Sequence, residues 1–588
     1  MRGWRAWARL NGSPLQSVHA LLPILFSLLP TFEAHCKVTT HFSLHSSPYS
    51  LLALFRVYYP CFWGSFLLRH VLSLSVRSMN RRHLFCALLL CLLSSAILMA
   101  GDRFVTYEEF GARGDGRADD FPAIIKAHAH ANAKGLPVKA RSGAVYYIGD
   151  SRETAVVKTD TDFSGARFII DDTVLKFENR GREVFLVERD RPPYDVTLSW
   201  PLGPNTRQIG RTFETAVMLV VKNDKVRHFI RWGANQNNGT PASDLVLVDR
   251  NGALDRSTPF VWEFPQMASV RAYPIEDRPI TLRGGEFITL ANQAESRYDY
   301  YNRGIRVCRS NVTLVGIAHF VQRELDHGAP YTGFFSIGYC ANIVLRGLVV
   351  TGHRTYKTIG AAGAPVSMGS YDLNADHAIN VSFLDVRQSN DIHDNRYWGV
   401  LGTNFCKNLL YDRCRVSRFD AHQGVCNATI RNSELGHQGV SLIGYGLFVM
   451  ENTVVHNNNL ISLRVDYGSF WRGNIIVRNC VLVPRDKKAT PCVIAGTYTG
   501  KHNFGYPCFM PFQIQVNGLK ILDGAGRKYS GPYVFADFNR NYGPGYMETY
   551  PYIRPQAVVV RDVITESGMQ IREAVNPAFF QNTRFDMP

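Results

Sequence analysis

What this chain lacks narrows its identity first. None of its cysteines forms a Cys-x-x-Cys pair, which argues against zinc ribbons and thioredoxin-like redox sites. No tract rich in lysine and arginine appears, and nucleic acid is therefore not the expected partner. Residues 1–78 hold apolar runs with Trp, Leu and Phe, yet none is an uninterrupted span of about 20 residues. No dedicated acidic loop for calcium appears either. Carboxylates on an open face could still bind Ca²⁺, so calcium stays open, and no residue is assigned to a metal.

A new pattern begins at Met79. Asn80-Arg81-Arg82-His83 supplies a positive start, Leu84 to Leu98 an apolar stretch, and Ala100 a small residue before cleavage. This reads as a signal peptide over 79–100, with 1–78 an over-extended start. A membrane anchor at the N-terminus is the rival. Cys86 and Cys91 raise a lipoprotein reading without a good lipobox, and outer-surface anchoring stays open. The expectation is a secreted or periplasmic protein with no membrane span in its mature form. Residues 1–100 carry 9 of the 65 Lys and Arg and 1 of the 49 acidic residues, so residues 101–588 keep a charge near +8. That balance suits an acidic partner such as a uronic-acid or sulfated polysaccharide. Cys492 and Cys508 bracket a Gly- and aromatic-rich loop and are a candidate disulfide after export. Cys414 and Cys480 are expected inside the fold, as small hydrophobes.

The strongest positive signal lies between Asn408 and Pro484. Asn427-Ala-Thr-Ile-Arg-Asn-Ser, Leu447-Phe-Val-Met-Glu-Asn-Thr and Asn474-Ile-Ile-Val-Arg-Asn-Cys align so that Asn432, Asn452 and Asn479 form one column. Ser433, Thr453 and Cys480 form the next. Such spacing marks a stacked solenoid, in which one Asn can bond the next along the pile. The expected fold is all-β, a right-handed parallel β-helix. Each coil contacts only its neighbours, so chain length does not limit the core.

Phe104-Val-Thr-Tyr-Glu-Glu-Phe-Gly-Ala-Arg-Gly-Asp-Gly-Arg-Ala-Asp-Asp reads as a strand and a tight turn. An Ala-rich helix from Phe121 to Lys134 follows, then a strand to Tyr147. These 45 or so residues resemble the N-terminal cap of the pectate-lyase-like β-helix superfamily. That group includes polygalacturonase-like hydrolases, polysaccharide lyases and phage tailspikes. The resemblance implies the fold and says little about chemistry. Asp115, Asp119 and Asp120 are read as turn-forming and capping residues. The expected order is a cap over 101–150, early coils with insertions over 151–300, regular coils over 301–525, and a C-terminal loop with capping strands over 526–588. A small β-subdomain is expected within 180–280.

Polar residues at successive strand ends should line one long face. They include His353, Tyr356, Lys357, Asp391, His393, Asp420, His422, His437 and His456. A neighbouring set holds Tyr371, Asp372, Trp398, Arg464, Asp466 and Tyr467. The two sets are expected to meet near the middle. His-Gln-Gly-Val occurs at 422–425 and again at 437–440, which signals shared local geometry.

Two chemistries fit. In β-elimination on a uronic acid, a cation neutralises the substrate carboxylate, a base takes the C5 proton and an acid assists the leaving oxygen. Arg464 is the expected clamp, His422 or His437 the base, and Tyr467 or a second His the acid. Hydrolysis needs two carboxylates, for which Asp420, Glu434, Asp372 and Asp466 are candidates. The polygalacturonase-like set of Asn-Thr-Asp, Asp-Asp, His-Gly and Arg-Ile-Lys is missing from the central coils. Glu434 also fits an outward charge ladder with Arg387 and Arg415. His353, Tyr356, Lys357, Tyr371, Asp372, His393 and Trp398 are expected to bind substrate. His327, Tyr331, Phe334 and Phe335 form a second aromatic surface, and Tyr397 and Trp471 are further stacking candidates. A non-catalytic glycan-binding or tailspike-like role is the third reading. Oligomeric state, endo or exo attack and the sugar itself are not specified.

Overall fold

Left-handed backbone at two recurring bends sets the path of this chain. At one bend, Asn311, Asn342, Asn380, Asn408 and Asn427 have φ of 57°, 60°, 56°, 56° and 58°. Their side chains form a continuous ladder. Each Nδ2 donates to the Oδ1 of the Asn one coil earlier, at 2.9, 2.9, 3.0 and 3.0 Å. Asparagine tolerates this backbone better than most residues and bonds its own kind across a strand spacing. At the second bend stand Gly316, Gly347, Asp385, Arg413, Asn432, Asn452 and Asn479, again all with positive φ. The column expected from the sequence is therefore real, and Asn452 Nδ2 donates to Asn432 Oδ1 at 3.2 Å. Asn432 in turn donates to Asp412 at 3.0 Å. Ser433 and Thr453 each donate to the carbonyl two residues back, at 2.7 and 2.8 Å.

The computed structural model describes residues 104–398 and 401–587. The expected export segment 79–100 and residues 1–78 lie outside the described residues. Between the bends run three columns of parallel strands, joined among the described residues in one 31-stranded sheet. Register is kept along the first column. Leu282, Leu314, Leu345, Phe383, Tyr411, Ile430, Met450, Val477, Val516 and Val560 lie in line, each beside the next. All are buried. Each coil covers the apolar edge of the one below, which is how a solenoid builds a core of any length. The protein is a right-handed parallel β-helix.

The cap differs from expectation in one detail. Residues 104–110 are not a strand: Val105 makes one bridge to Val138, and Glu108–Phe110 is a 3₁₀ turn ending at Gly111, φ 98°. The strand is instead Asp115–Asp119, paired with Val145–Ile148. The helix Phe121–Lys134 forms as expected. The Asp residues have turn roles. Asp120 accepts from the Arg113 and Gly114 N–H at 2.6 and 3.1 Å, and Asp119 from that of Phe121 at 3.1 Å.

The insertion forms an antiparallel four-stranded sheet of Thr240–Val248, Val217–His228, Ser269–Pro274 and Tyr194–Asp195. One face has its own core around Val217, Leu219, Val221 and Val246. The other presses Met218, Val220, Leu245 and Leu247 onto Ala341 and Ile379 of the coils. A buried ion pair, Lys407 Nζ to Asp244 Oδ1 at 2.7 Å, fixes it there. Within the C-terminal stretch 526–588, the short strands Tyr533–Phe535 and Tyr552–Ile553 precede the longer Ala557–Thr565. Cys492 and Cys508 are free thiols, which overturns the disulfide reading. They belong to different strand pairs, with Tyr533 and with Tyr552. Cys414 and Cys480 are buried as expected. Among the described residues no helix is long and apolar enough to cross a membrane.

Candidate functional site

The expected convergence of histidines does not occur. The solenoid sorts them into three separate groups, because strand ends at different bends face different sides.

The first group lies at the ends of the strands Arg415–Gln423, Glu434–Leu442 and Asn459–Leu463. Phe419 and Asp420 pair with Val440 and Ser441, and Ser441 pairs with Ser462 two residues before Arg464. Asp420 and Arg464 are thus two coils apart, and the long guanidinium spans the gap. Arg464 Nη1 lies 2.9 Å from Asp420 Oδ1, and its Nη2 lies 2.8 Å from Asp466 Oδ2. Arg418 also bonds Asp420, and Arg231 Nη2 reaches Asp466 at 2.9 Å. Three guanidinium groups therefore face two carboxylates. Burial pushes the carboxyls of Asp420 and Asp466 up, but the arginines outweigh it and hold both below the usual carboxylate range.

His422 and Tyr467 adjoin this cluster. His422 Nδ1 donates to Asn404 Oδ1 at 2.9 Å, which leaves Nε2 with its lone pair, 3.5 Å from the Tyr467 hydroxyl. Burial and then the Arg464 charge lower the His422 pKa to about 4, so the ring is neutral at neutral pH. Tyr467 is buried, which raises its hydroxyl pKa. Its ring lies 5.5 Å from both the Arg231 and the Arg464 guanidinium. Gln423 Nε2 is 3.5 Å from the same hydroxyl.

A cleft of about 530 Å³ opens beside these residues, walled by Arg231, Trp232, Trp398, Asp466, Tyr498 and His502 among others. Its walls come from five stretches of the chain: 231–235, 366–367, 398, 465–466 and 497–504. Arg231 and Trp232 belong to the tip of the insertion, and residues 497–504 to the loop after Cys492–Ala495. Main-chain bonds tie the tip in place: Trp232 N–H to the Asp466 carbonyl at 3.0 Å, and Ile230 N–H to that of Phe504 at 3.1 Å. Trp232 is 56% exposed, and its ring centroid lies 4.9 Å from that of His502. Asp420, His422 and Arg464 do not line the cleft themselves; Asp466, which does, is bonded to Arg464.

Of the expected catalytic set, Asp420, His422, Arg464, Asp466 and Tyr467 do meet. Trp398 joins them, its ring 5.5 Å from the Arg418 guanidinium. Tyr371 lies near enough for Asp420 to add to the burial that raises its hydroxyl pKa. Arg464 is not a free clamp, however, because both of its carboxylate partners belong to the protein. Sequence reading missed Arg231, Arg418, Asn404 and Trp232. The polar run after Trp232 and the aromatic loop after Cys492 were the available signals.

His437 and Glu434 do not belong here. The two His-Gln-Gly-Val copies are out of register: His422 ends the strand Arg415–Gln423, whereas His437 lies near the start of Glu434–Leu442. His437 is buried, and its Nδ1 donates to the Ile392 carbonyl at 3.1 Å. Glu434 takes part in the expected ladder, paired in register with Arg415 and bonded to its Nε at 2.9 Å. It sits instead with His393 and His456, the third group.

The second group is buried and overturns several substrate-binding expectations. Asp372 Oδ1 lies 2.6 Å from His319 Nδ1 and 3.4 Å from His353 Nε2. His353 Nδ1 donates to Glu324 at 3.0 Å, and Thr289 Oγ1 lies 2.9 Å from His319 Nε2. Burial pushes Asp372 up, but the two imidazoles outweigh it and bring its pKa to about 2. Burial likewise opposes the charged form of His353, yet its bonds to Asp372 and Glu324 leave its pKa at about 9. With both side chains at 1% exposure or less, neither reaches a polysaccharide. Tyr331 is also buried, stacked on His353 at 4.9 Å with its hydroxyl on Asp172 at 3.1 Å. Tyr356, Phe334, Phe335 and Trp471 are buried as well. Phe334 stacks on His319 at 3.8 Å. Lys357 is exposed on the hairpin of Lys357–Ile359 and Pro365–Ser367, His327 is exposed on a loop, and Tyr397 is half-buried.

No family model matches this chain, and no curated protein does. Solved structures do. The tailspike gp61 of Pseudomonas phage phi297 is 12% identical, over 82% of this chain and 83% of its own, with a TM-score of 0.48. The Gp54 tailspike of Acinetobacter baumannii bacteriophage AP22, solved with an A. baumannii capsular saccharide, is 11% identical over 83% and 80%, TM-score 0.48. The A-module of Azotobacter vinelandii mannuronan C-5 epimerase AlgE4 is 10% identical over 80% and 97%, TM-score 0.37. At such identities the likeness concerns the fold.

Proposed function

We propose that this protein is exported, binds an acidic polysaccharide in the Arg231–Trp398 cleft, and cleaves it by β-elimination. One observation carries the reading: three arginines outnumber two aspartates beside an aromatic-walled cleft, next to a neutral imidazole. The excess positive charge favours a uronate carboxylate or a sulfate, and Trp232 and Trp398 offer faces for sugar rings.

In this reading Arg231, the most exposed of the three arginines at 24%, keeps its Nε and Nη2 on Asp466 and meets the substrate carboxylate through Nη1. That contact stabilises charge developing at C5 in the transition state. His422 Nε2 takes the C5 proton, the C5–H electrons form the C4–C5 double bond, and the C4–O bond breaks. The leaving oxygen takes its proton from water in the cleft and His422 returns the one it took, because Tyr467, the acid expected from the sequence, is 1% exposed and does not line the cleft. A uronate arriving nearby also raises the His422 pKa from about 4 and strengthens it as a base. Hydrolysis fits less well. It needs one protonated carboxyl at neutral pH, and Asp420 and Asp466 are both held ionised by arginines.

A second reading, glycan binding without turnover, is favoured by the internal pairing of Asp420, Asp466 and Arg464. Incubation with uronic-acid and sulfated polysaccharides separates the readings. Elimination yields new chain ends that absorb in the near ultraviolet, and hydrolysis yields reducing ends without that absorbance. Binding with neither product would support the adhesive role and defeat the enzymatic one. The export proposal rests on residues 79–100, and N-terminal sequencing of protein recovered outside the cytoplasm tests it.

A further inference from the structure

The third histidine group lies on a different side of the coil from the cleft, and neither reaction above uses it. His393 follows the strand Arg387–Gln388, Glu434 opens the strand Glu434–Leu442, and His456 follows Val454–Val455. Register places Arg387, Arg415, Glu434 and Val454 on four successive coils. His393 would be two coils from Glu434, but its turn climbs. The Ile392 carbonyl accepts both the N–H and the Nδ1 of His437, at 2.9 and 3.1 Å, which presses this turn against the coil of Glu434.

The three side chains converge on one oxygen. Glu434 Oε1 is 3.0 Å from His456 Nε2 and 4.0 Å from His393 Nε2, and the two rings lie 4.3 Å apart at 75°. All potential ligand atoms fall within 4.8 Å of one another, and among the described residues no other His, Cys, Asp and Glu cluster does this. His456 Nε2 is within hydrogen-bond distance of Oε1, whereas His393 Nε2 at 4.0 Å faces the same oxygen without bonding it. The second carboxylate oxygen is held by Arg415 Nε at 2.9 Å, orienting Oε1 toward the rings.

We propose that His393, Glu434 and His456 form a binding site for a divalent transition-metal ion of the zinc class, which clamps successive coils together at their outer turn. Two imidazoles and one carboxylate suit zinc, whereas calcium prefers six to eight oxygens. Ligand bonds of about 2.0–2.2 Å require the side chains to close in by rotation, with the backbone as it stands. The calcium left open by the sequence has no support from this donor set.

Zinc sulfate alone is the probe, added to chelator-treated full chain and followed by titration calorimetry and thermal unfolding. One equivalent should bind and raise the unfolding midpoint, while calcium should do neither. His393→Ala and His456→Gln should each weaken zinc binding about tenfold or more. Each should keep the zinc-free midpoint within a few degrees, because both side chains are partly exposed. Absence of zinc binding, or stoichiometric binding that survives in the double variant, would overturn the site.

Discussion

Arg464 and Asp420 meet at 2.9 Å across two coils of the solenoid, with Asp420 only 1% exposed. That contact converts an expected substrate clamp into a brace of the protein itself. Replacing Arg464 with Ala leaves a buried aspartate partly uncompensated, and removing one partner of such a pair costs about 3–5 kcal/mol. Arg464→Ala should therefore lower the denaturant midpoint as well as any activity. A variant as stable as the parent would mean the pair is not structural.

His422 should behave differently. His422→Ala is expected to remove about 10²–10⁴ of the elimination rate while leaving substrate affinity near the parent value. Asn404→Ala should lower the rate less, because it frees the ring tautomer without removing the base. Near-ultraviolet absorbance of the products reads both, and full activity in His422→Ala would reject the assigned base.

The buried His353 gives a pH dependence with a definite sign. Its folded pKa of about 9 lies above the ordinary value, so its contribution is complete below about pH 6.5 and is lost as pH rises through 9. His422 and His228, both lowered to about 4, act oppositely: their contribution is complete above about pH 6.5 and is lost on acidification toward 4. Stability should thus peak near pH 6.5. Urea midpoints across pH 4 to 9.5 test this, and the alkaline decline should be shallower in His353→Gln.

Asp120 is expected to matter for folding alone. Its carboxylate accepts two main-chain N–H groups at 2.6 and 3.1 Å in the cap turn. Asp120→Ala should cost about 1–3 kcal/mol with no change in rate per folded molecule. A selective loss of rate in this variant would place the cap in the chemistry.

The sequence by itself determined the solenoid. Period, inward alternation and Asn at bends are local properties, and every coil repeats them, so the fold could be read from three aligned segments. The deeper Asn311 to Asn427 ladder was present in the same lines but hidden by unequal coil lengths. The sequence also named Asp420, His422, Arg464, Asp466 and Tyr467, because strand ends of neighbouring coils stack. Only the tertiary structure decided which histidines share a side. His437 looked equivalent to His422 through four identical residues, yet a register shift sent it to the Ile392 carbonyl. Arg231 became part of the site through an insertion folded back over 235 residues of chain to reach Asp466. Burial turned His353, Asp372 and Tyr331 from candidate binders into a closed network. Those outcomes depend on long-range docking and on which side a turn leaves the coil, and neither is encoded in a local pattern.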